Sequence, residues 1–193
     1  MIKCFQVLLS NITFKFDLRR YIEVLQWLRE HGCPWVARTC SRAAEGGHLE
    51  VLRWAREHEC PWDEDTCRYA AGAGPGPTGL RGQGYLEVLQ WAREHDCPWD
   101  EEEMCTYAAQ GGSWEVLRWV REQGCPWDEE TSASAANCGK LEVLRWAREH
   151  DCPWDSETCS SAACCGALEV LQWAREQGCE WDEWTTVTDS ATR

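Results

Sequence analysis

The 193-residue chain has little positive charge and no long apolar run. It carries 19 Lys and Arg against 33 Asp and Glu, a formal net charge of −14, and its only lysines are Lys3, Lys15 and Lys140. Binding to a phosphate backbone or to an anionic membrane needs clustered basic residues, and a bilayer span needs about 20 apolar residues. We therefore expect no nucleic-acid partner and no membrane partner, and a protein partner that is neutral or basic.

The sequence also lacks a convincing secretory signal. Residues 1–10 contain only a short apolar stretch, Gln6 interrupts it, and no small-residue cleavage site follows. We therefore expect an intracellular protein, in the cytoplasm with the nucleus left open, whose fourteen cysteines are mostly reduced.

The chain repeats the phrase Glu-Val-Leu-(Arg or Gln)-Trp six times. Successive copies are 27, 37, 28, 27 and 27 residues apart, and they begin at Glu23, Glu50, Glu87, Glu115, Glu142 and Glu169. The long step contains a Gly/Pro-rich insertion at residues 72–84, which is typical of a flexible surface loop. Such a period predicts stacked helical repeats that bury a continuous core.

Each repeat predicts two short helices. In residues 127–152, Asp128 and Thr131 are suited to accept hydrogen bonds from the first-turn amides of the first helix. Gly139 is placed to end that helix in a left-handed conformation. The second helix, over residues 141–150, has apolar residues at i, i+3 and i+4 spacing, and a Cys-Pro-Trp turn follows it. Neither helix is long enough to be stable alone.

These residues resemble the ankyrin repeat family. The match is the pattern Thr-x-x-x-Ala-Ala-x-x-Gly-x-Leu-Glu-Val-Leu, which is most complete at residues 39–52 and recurs in order over about residues 21–188. The repeat departs from the family because it has 27 or 28 residues instead of about 33 and reduces the β-hairpin to Cys-Pro-Trp-Asp. The resemblance implies an all-α solenoid of helix-turn-helix repeats with little or no β-hairpin.

The resemblance further implies a non-catalytic module or scaffold that binds a protein partner. We expect an atypical N-terminal segment over residues 1–20 and an array of about five or six repeats over residues 21–193. No nucleophile motif or isolated acid/base constellation stands out, because carboxylates recur in every repeat, as on a solvated face. We therefore expect a monomer that is not an enzyme and has no cofactor.

The cysteines recur in columns, which is typical of packing between repeats. Cysteines within one repeat are seven or eight residues apart without a C-x-x-C motif, which does not suit zinc. The adjacent Cys164 and Cys165 would be a candidate redox pair if exposed. The alternative function is therefore a Cys-based metal-binding or redox protein. The columns are Cys33, Cys60, Cys97, Cys125, Cys152 and Cys179, and Cys40, Cys67, Cys105 and Cys159.

Twelve of the fourteen tryptophans form two further columns, which we expect to lie in the core. They are Trp27, Trp54, Trp91, Trp119, Trp146 and Trp173, and Trp35, Trp62, Trp99, Trp127, Trp154 and Trp181. Trp114 and Trp184 break this order, and Trp184 is a candidate exposed contact.

The partner-binding site is expected where the repeats differ from one another. Two adjacent first-helix positions vary most, and the resemblance implies binding through the first-helix face. Tyr and Arg are frequent anchors at protein interfaces. The predicted partner-binding residues are Arg42, Arg68, Tyr69, Thr106, Tyr107 and Trp184.

Overall fold

The structure, a computed structural model, describes residues 18–72 and 83–180 of the chain. These residues contain only helices and no strand, which confirms the predicted all-α class. Contacts divide the chain into two compact units, residues 1–99 and 100–193. Residues 1–17 of the predicted N-terminal segment and 73–82 of the predicted insertion lie outside the described residues; Gly72 and Gln83 belong to the flanking helices.

The helices are short and are joined by tight turns. The first unit contains α1 (Leu18–Glu30), α2 (Arg38–Glu45), α3 (Leu49–Glu57), α4 (Glu64–Gly72) and α5 (Gln83–Glu94). The second unit contains α6 (Met104–Gly111), α7 (Trp114–Glu122), α8 (Glu129–Asn137), α9 (Leu141–Glu149), α10 (Ser156–Cys164) and α11 (Leu168–Glu176). In the described part of the chain, no helix is both long and apolar enough to cross a bilayer.

Residues that were predicted to start and end a helix do so in the structure. The Asp128 side chain accepts a hydrogen bond from the Thr131 amide at 3.2 Å, and the Asp128 amide donates to Thr131 Oγ1 at 3.4 Å. This reciprocal cap starts α8. Gly139 follows α8 with a φ of +66°, a left-handed conformation that glycine adopts without steric cost. The chain then turns directly into α9.

Within each unit, consecutive first helices of the repeats lie side by side. In the first unit α2 packs against α4, and in the second unit α8 packs between α6 and α10. Each second helix packs against its own first helix, as α3 does on α2 and α11 on α10. The buried face of a second helix is formed by Val143, Leu144 and Ala147 in α9, each at most 1% exposed.

The cysteine columns lie mostly inside the units, as their regular spacing predicts. Cys60, Cys105, Cys152 and Cys159 are at most 1% exposed. The Cys152 thiol donates to the carbonyl of Asp128 at the start of the same repeat at 3.6 Å, and equivalent bonds occur at other repeats. Burial raises the pKa of Cys152, and it raises the pKa of Cys105 to about 12. These thiols therefore act as small, neutral core side chains.

The prediction that the tryptophans form the core is wrong. Trp27 is 55% exposed and Trp114 is 37% exposed, and the other tryptophans that the structure describes are half-buried. The interior is already filled by residues such as Val51, Leu52 and Ala55, whose side chains occupy the inner arc of the helix. Trp54 lies at the edge of that arc. The indoles therefore cover the rim between repeats.

Candidate interaction surface

The first unit brings three predicted binding residues together on α2 and α4. The Arg68 guanidinium carbon lies 5.3 Å from the centroid of the Tyr69 ring. The Arg42 guanidinium carbon, on the neighbouring first helix, lies 5.9 Å from the same centroid. All three side chains are half-buried. Two cations therefore contact one phenol ring at distances suited to cation–π attraction.

Each arginine of this group is also held by a carboxylate one turn away on its own helix. Arg42 forms an ion pair with Glu45, and Arg68 Nη1 lies 3.3 Å from Asp65 Oδ1. Such solvated pairs stabilise a helix only weakly, by about 0.2–0.5 kcal/mol. Their larger effect is on side-chain order. A guanidinium held by a carboxylate has fewer accessible rotamers, so it loses less side-chain entropy when a partner binds. The carboxylates also leave the group close to neutral.

The second unit carries the other two predicted residues side by side on α6. Thr106 Oγ1 lies 3.5 Å from Thr131 Oγ1 on α8, and the Tyr107 hydroxyl donates to the Glu103 carboxylate. A further contact between these two helices runs from Gln110 Nε2 to Ser134 Oγ, at 3.4 Å. The ring of Tyr107 is thus fixed from within its own helix, half-buried on the first-helix face.

The two variable columns are not equivalent in the structure. Ser41 and Ala133, which share the column of Arg68 and Thr106, are only 2% and 6% exposed. At these buried positions, the space inside the repeat therefore limits which side chains fit. The column of Arg42, Tyr69 and Tyr107 is half-buried throughout, so its side chains are partly accessible at every repeat. The sixth predicted residue, Trp184, lies outside the described residues.

The sequence analysis missed an arginine–tryptophan ladder on the rim formed by the second helices and the turns that follow them. The Arg148 guanidinium carbon lies 4.4 Å from the Trp154 ring centroid, and Arg148 Nη1 donates to the Cys152 carbonyl at 3.1 Å. Trp154 in turn meets Trp173 edge-to-face, with centroids 5.8 Å apart. An arginine two residues after the tryptophan in every repeat was the available signal. Similar contacts place Arg29, Arg56, Arg93 and Arg121 near Trp35, Trp62, Trp99 and Trp127.

The described cysteines include three exposed thiols, Cys138, Cys164 and Cys165, all in the second unit. Cys165 Sγ lies 2.7 Å from Asn137 Oδ1, a contact between the C-terminal ends of α10 and α8. Among residues 18–72 and 83–180, no three His, Cys, Asp or Glu side chains are grouped in a way that would hold a metal ion.

Comparison with protein-family models and with curated protein sequences finds no match to this chain.

Proposed function

We propose that this protein is a non-catalytic interaction module, a solenoid of short ankyrin-like repeats that binds a protein partner through its first-helix faces. The six-fold sequence repeat, the all-helical structure of the described residues and the side-by-side first helices in each unit support this architecture. Stacked repeats offer an extended surface whose exposed positions can vary without changing the core.

The observation that carries the proposal is the arrangement of Arg42, Tyr69 and Arg68. A large ring held between two arginines combines the residue types that most often dominate interface energies. Each guanidinium carries five N–H donors, and the Tyr69 hydroxyl can donate or accept a hydrogen bond. The group therefore offers apolar area together with directional polar contacts.

The charge around this group favours a neutral or basic partner. Glu45 and Asp65 balance the two arginines, Glu64 lies exposed at the start of α4, and the whole chain has a net charge of −14. An acidic surface speeds the approach of basic proteins and slows that of acidic ones. The thiols of the described residues are free and mostly buried, which suits a reducing compartment, so we propose that this interaction occurs in the cytoplasm or the nucleus.

The test is a quantitative affinity capture from cells that express the protein, with wild type and Tyr69→Ala compared by isotope-labelled mass spectrometry. Loss of an interface anchor costs about 2 kcal/mol or more, so a genuine partner is expected to fall by about thirtyfold in affinity. Tyr107→Ala tests the second unit in the same way. Circular dichroism and the thermal midpoint must show that both variants remain folded.

Two controls make this experiment specific. Tyr69→Phe keeps the ring between the arginines and should retain most of the binding. Ser161→Ala changes the same repeat position on α10, where the side chain is small, and should have no effect. A partner that binds wild type, Tyr69→Ala and Tyr107→Ala equally would exclude the first-helix face as the binding site. No partner above background for the wild type would contradict the module itself.

A further inference from the structure

A groove of about 370 Å³ opens between the second helices α9 and α11, away from the first-helix face. It is lined by Arg145, Arg148 and Glu149 from α9, and by Trp173 and Gln177 of the last repeat. The volume lies within the range of small-ligand sites, about 300–1,000 Å³. Trp173 also packs against the buried cluster that contains Cys159 and Ala174, so its ring is anchored on the core beneath the groove.

The groove lies beside one of the two repeats, those of Gln123 and Gln177, that lack a histidine found in the other four. In four repeats, a histidine four residues after the second-helix tryptophan stacks on that indole, with ring centroids 3.8–4.2 Å apart. The histidine Nδ1 also lies 2.7–2.8 Å from the tryptophan carbonyl oxygen. Here Gln177 takes the place of that histidine. Trp173, whose repeat has no histidine at that position, lines the groove. The four stacked pairs are Trp27–His31, Trp54–His58, Trp91–His95 and Trp146–His150.

The rim of the groove carries an excess of positive charge in an otherwise acidic chain. Arg145 is 46% exposed and makes only a long ion pair with Glu142, 3.7 Å between Nη1 and Oε1. Arg148 donates one N–H to the Cys152 carbonyl, and its guanidinium lies near the Trp154 ring. Further N–H donors of the planar guanidinium remain for a ligand. Glu149 is the one acidic lining residue. The lining therefore has two guanidinium groups against one carboxylate.

We propose that this groove binds an acidic peptide segment that carries an aromatic or imidazole ring next to a carboxylate. The ring stacks on Trp173 in the manner of the histidines in the other repeats. The carboxylate binds Arg145 and Arg148, since guanidinium and carboxylate form parallel, charge-assisted hydrogen bonds. The Gln177 amide, which can donate and accept, binds the peptide backbone.

The placement of Glu149 favours a peptide over a phosphorylated ligand. Its carboxylate can accept a hydrogen bond from a peptide N–H, whereas it would repel a doubly charged phosphate beside the arginines. A peptide also matches an open groove, because an extended chain can enter and leave along its length. This surface is independent of the first-helix faces, so the two proposals stand or fall separately.

The probe for this site is a fluorescein-labelled peptide, Gly-Ser-Asp-Phe-Asp-Gly, titrated with the full chain by fluorescence anisotropy. We expect saturable binding below about 1 mM protein that weakens with added salt. Replacing both Asp residues of the peptide by Asn, or its Phe by Ala, should weaken binding about tenfold each, the typical worth of a charge-assisted bond or a stacked ring. No saturable signal with the parent peptide would overturn the proposal.

Two variants locate the binding. Gln177→His introduces the residue of four other repeats, so the fold is kept while the Trp173 face is covered, and binding should fall about tenfold. Arg145→Gln should also weaken binding about tenfold, whereas Arg53→Gln, at the same repeat position of the first unit, should not. Unchanged binding in Gln177→His or Arg145→Gln, or an equal loss in Arg53→Gln, would overturn the proposal. So would ATP binding this groove more tightly than the peptide.

A gain of binding gives a converse test. His150→Gln should uncover the Trp146 ring, and Arg118 and Arg121 on the preceding second helix hold the repeat positions of Arg145 and Arg148. The number of peptides bound per chain should then rise by one, as measured by calorimetric titration. An unchanged number would contradict the stacking argument. Tyr69→Ala should leave peptide binding unaltered, which separates this site from the proposed first-helix interface.

Discussion

Replacing Glu59 with glycine should stabilise the first unit. Glu59 follows α3 with a φ of +62°, at the turn position where three other repeats have Gly32, Gly124 and Gly178. A left-handed conformation costs an L-residue about 1–2 kcal/mol. Glycine avoids that cost but loses about 0.5–1 kcal/mol more backbone entropy on folding. We therefore expect Glu59→Gly to raise the free energy of unfolding by about 0.5–1 kcal/mol.

The structure indicates that little else changes in this variant. The Glu59 side chain is exposed, and its amide donates to the Arg56 carbonyl at 3.0 Å, a bond that glycine keeps. The assay is urea unfolding followed by circular dichroism. Glu59→Gln removes the same charge from this acidic chain without relieving the backbone. Arg53→Gly, inside α3, should instead cost about 1 kcal/mol.

The comparison of Glu59→Gly with Glu59→Gln tests whether the left-handed backbone is costly. If Glu59→Gly is no more stable than Glu59→Gln, the left-handed strain is not a significant cost and the reasoning fails. Asp96 and Asp151 hold the same turn position with φ of +60° and +64°. Their glycine variants should gain less than Glu59→Gly, because aspartate tolerates the left-handed region better than glutamate.

Three further predictions follow from burial. Leu144→Ala should lower the free energy of unfolding by about 3 kcal/mol in urea melts, and Leu171→Ala by clearly less, because Leu144 is fully buried and Leu171 only partly; equal losses would contradict this. Iodoacetamide, followed by peptide mass spectrometry, should label Cys164 well before Cys105, since the first thiol is exposed and burial raises the pKa of the second to about 12. Burial also lowers the pKa of His48, so the folded state disfavours its protonation and stability should fall as the pH drops below about 6.5; His48→Gln should flatten that slope.

The helices were predictable because their signals are local. The reciprocal cap of Asp128 and Thr131 and the left-handed Gly139 each depend on residues within one turn of the chain. The buried arc of Val143, Leu144 and Ala147 follows from helical periodicity alone. For residues 127–152, the sequence therefore predicted the two helices, Glu129–Asn137 and Leu141–Glu149, nearly to the residue.

The tryptophans were misplaced because a regular column shows only that a position contacts the next repeat. It does not show whether that contact lies in the interior or on the rim. The relevant sequence features were the size of the side chain and the residues next to it. The interior is filled by small side chains such as Ala55 and Cys60, while Trp54 has Arg56 and His58 beside it on the same helix. A large ring with cationic neighbours is typical of a half-exposed edge.

The candidate site was predictable only in part. Variation between repeats pointed to Tyr69, but the contact of Arg42 with its ring joins two helices that are far apart in sequence. Variation at Ser41 had a different cause, since that side chain is buried against the next repeat and only packing space is at issue. A residue's accessibility depends on neighbouring helices, which a local pattern does not describe.

Both proposed surfaces depend on departures from the repeat. A residue type that recurs in most repeats is explained by contacts that those repeats share, as the stacking of His58 on Trp54 illustrates. When Gln177 replaces that histidine, the neighbouring tryptophan stays in place because Cys159 and Ala174 still support it, so an uncovered ring results without loss of the fold. The same holds for Tyr69, which lies outside the core at a position where other repeats have arginine, tyrosine or serine. In a repeat protein, each repeat is stabilised mainly by its contacts with the neighbouring repeats. The core therefore tolerates such exchanges as long as those contacts are kept. New binding surfaces can therefore arise one repeat at a time.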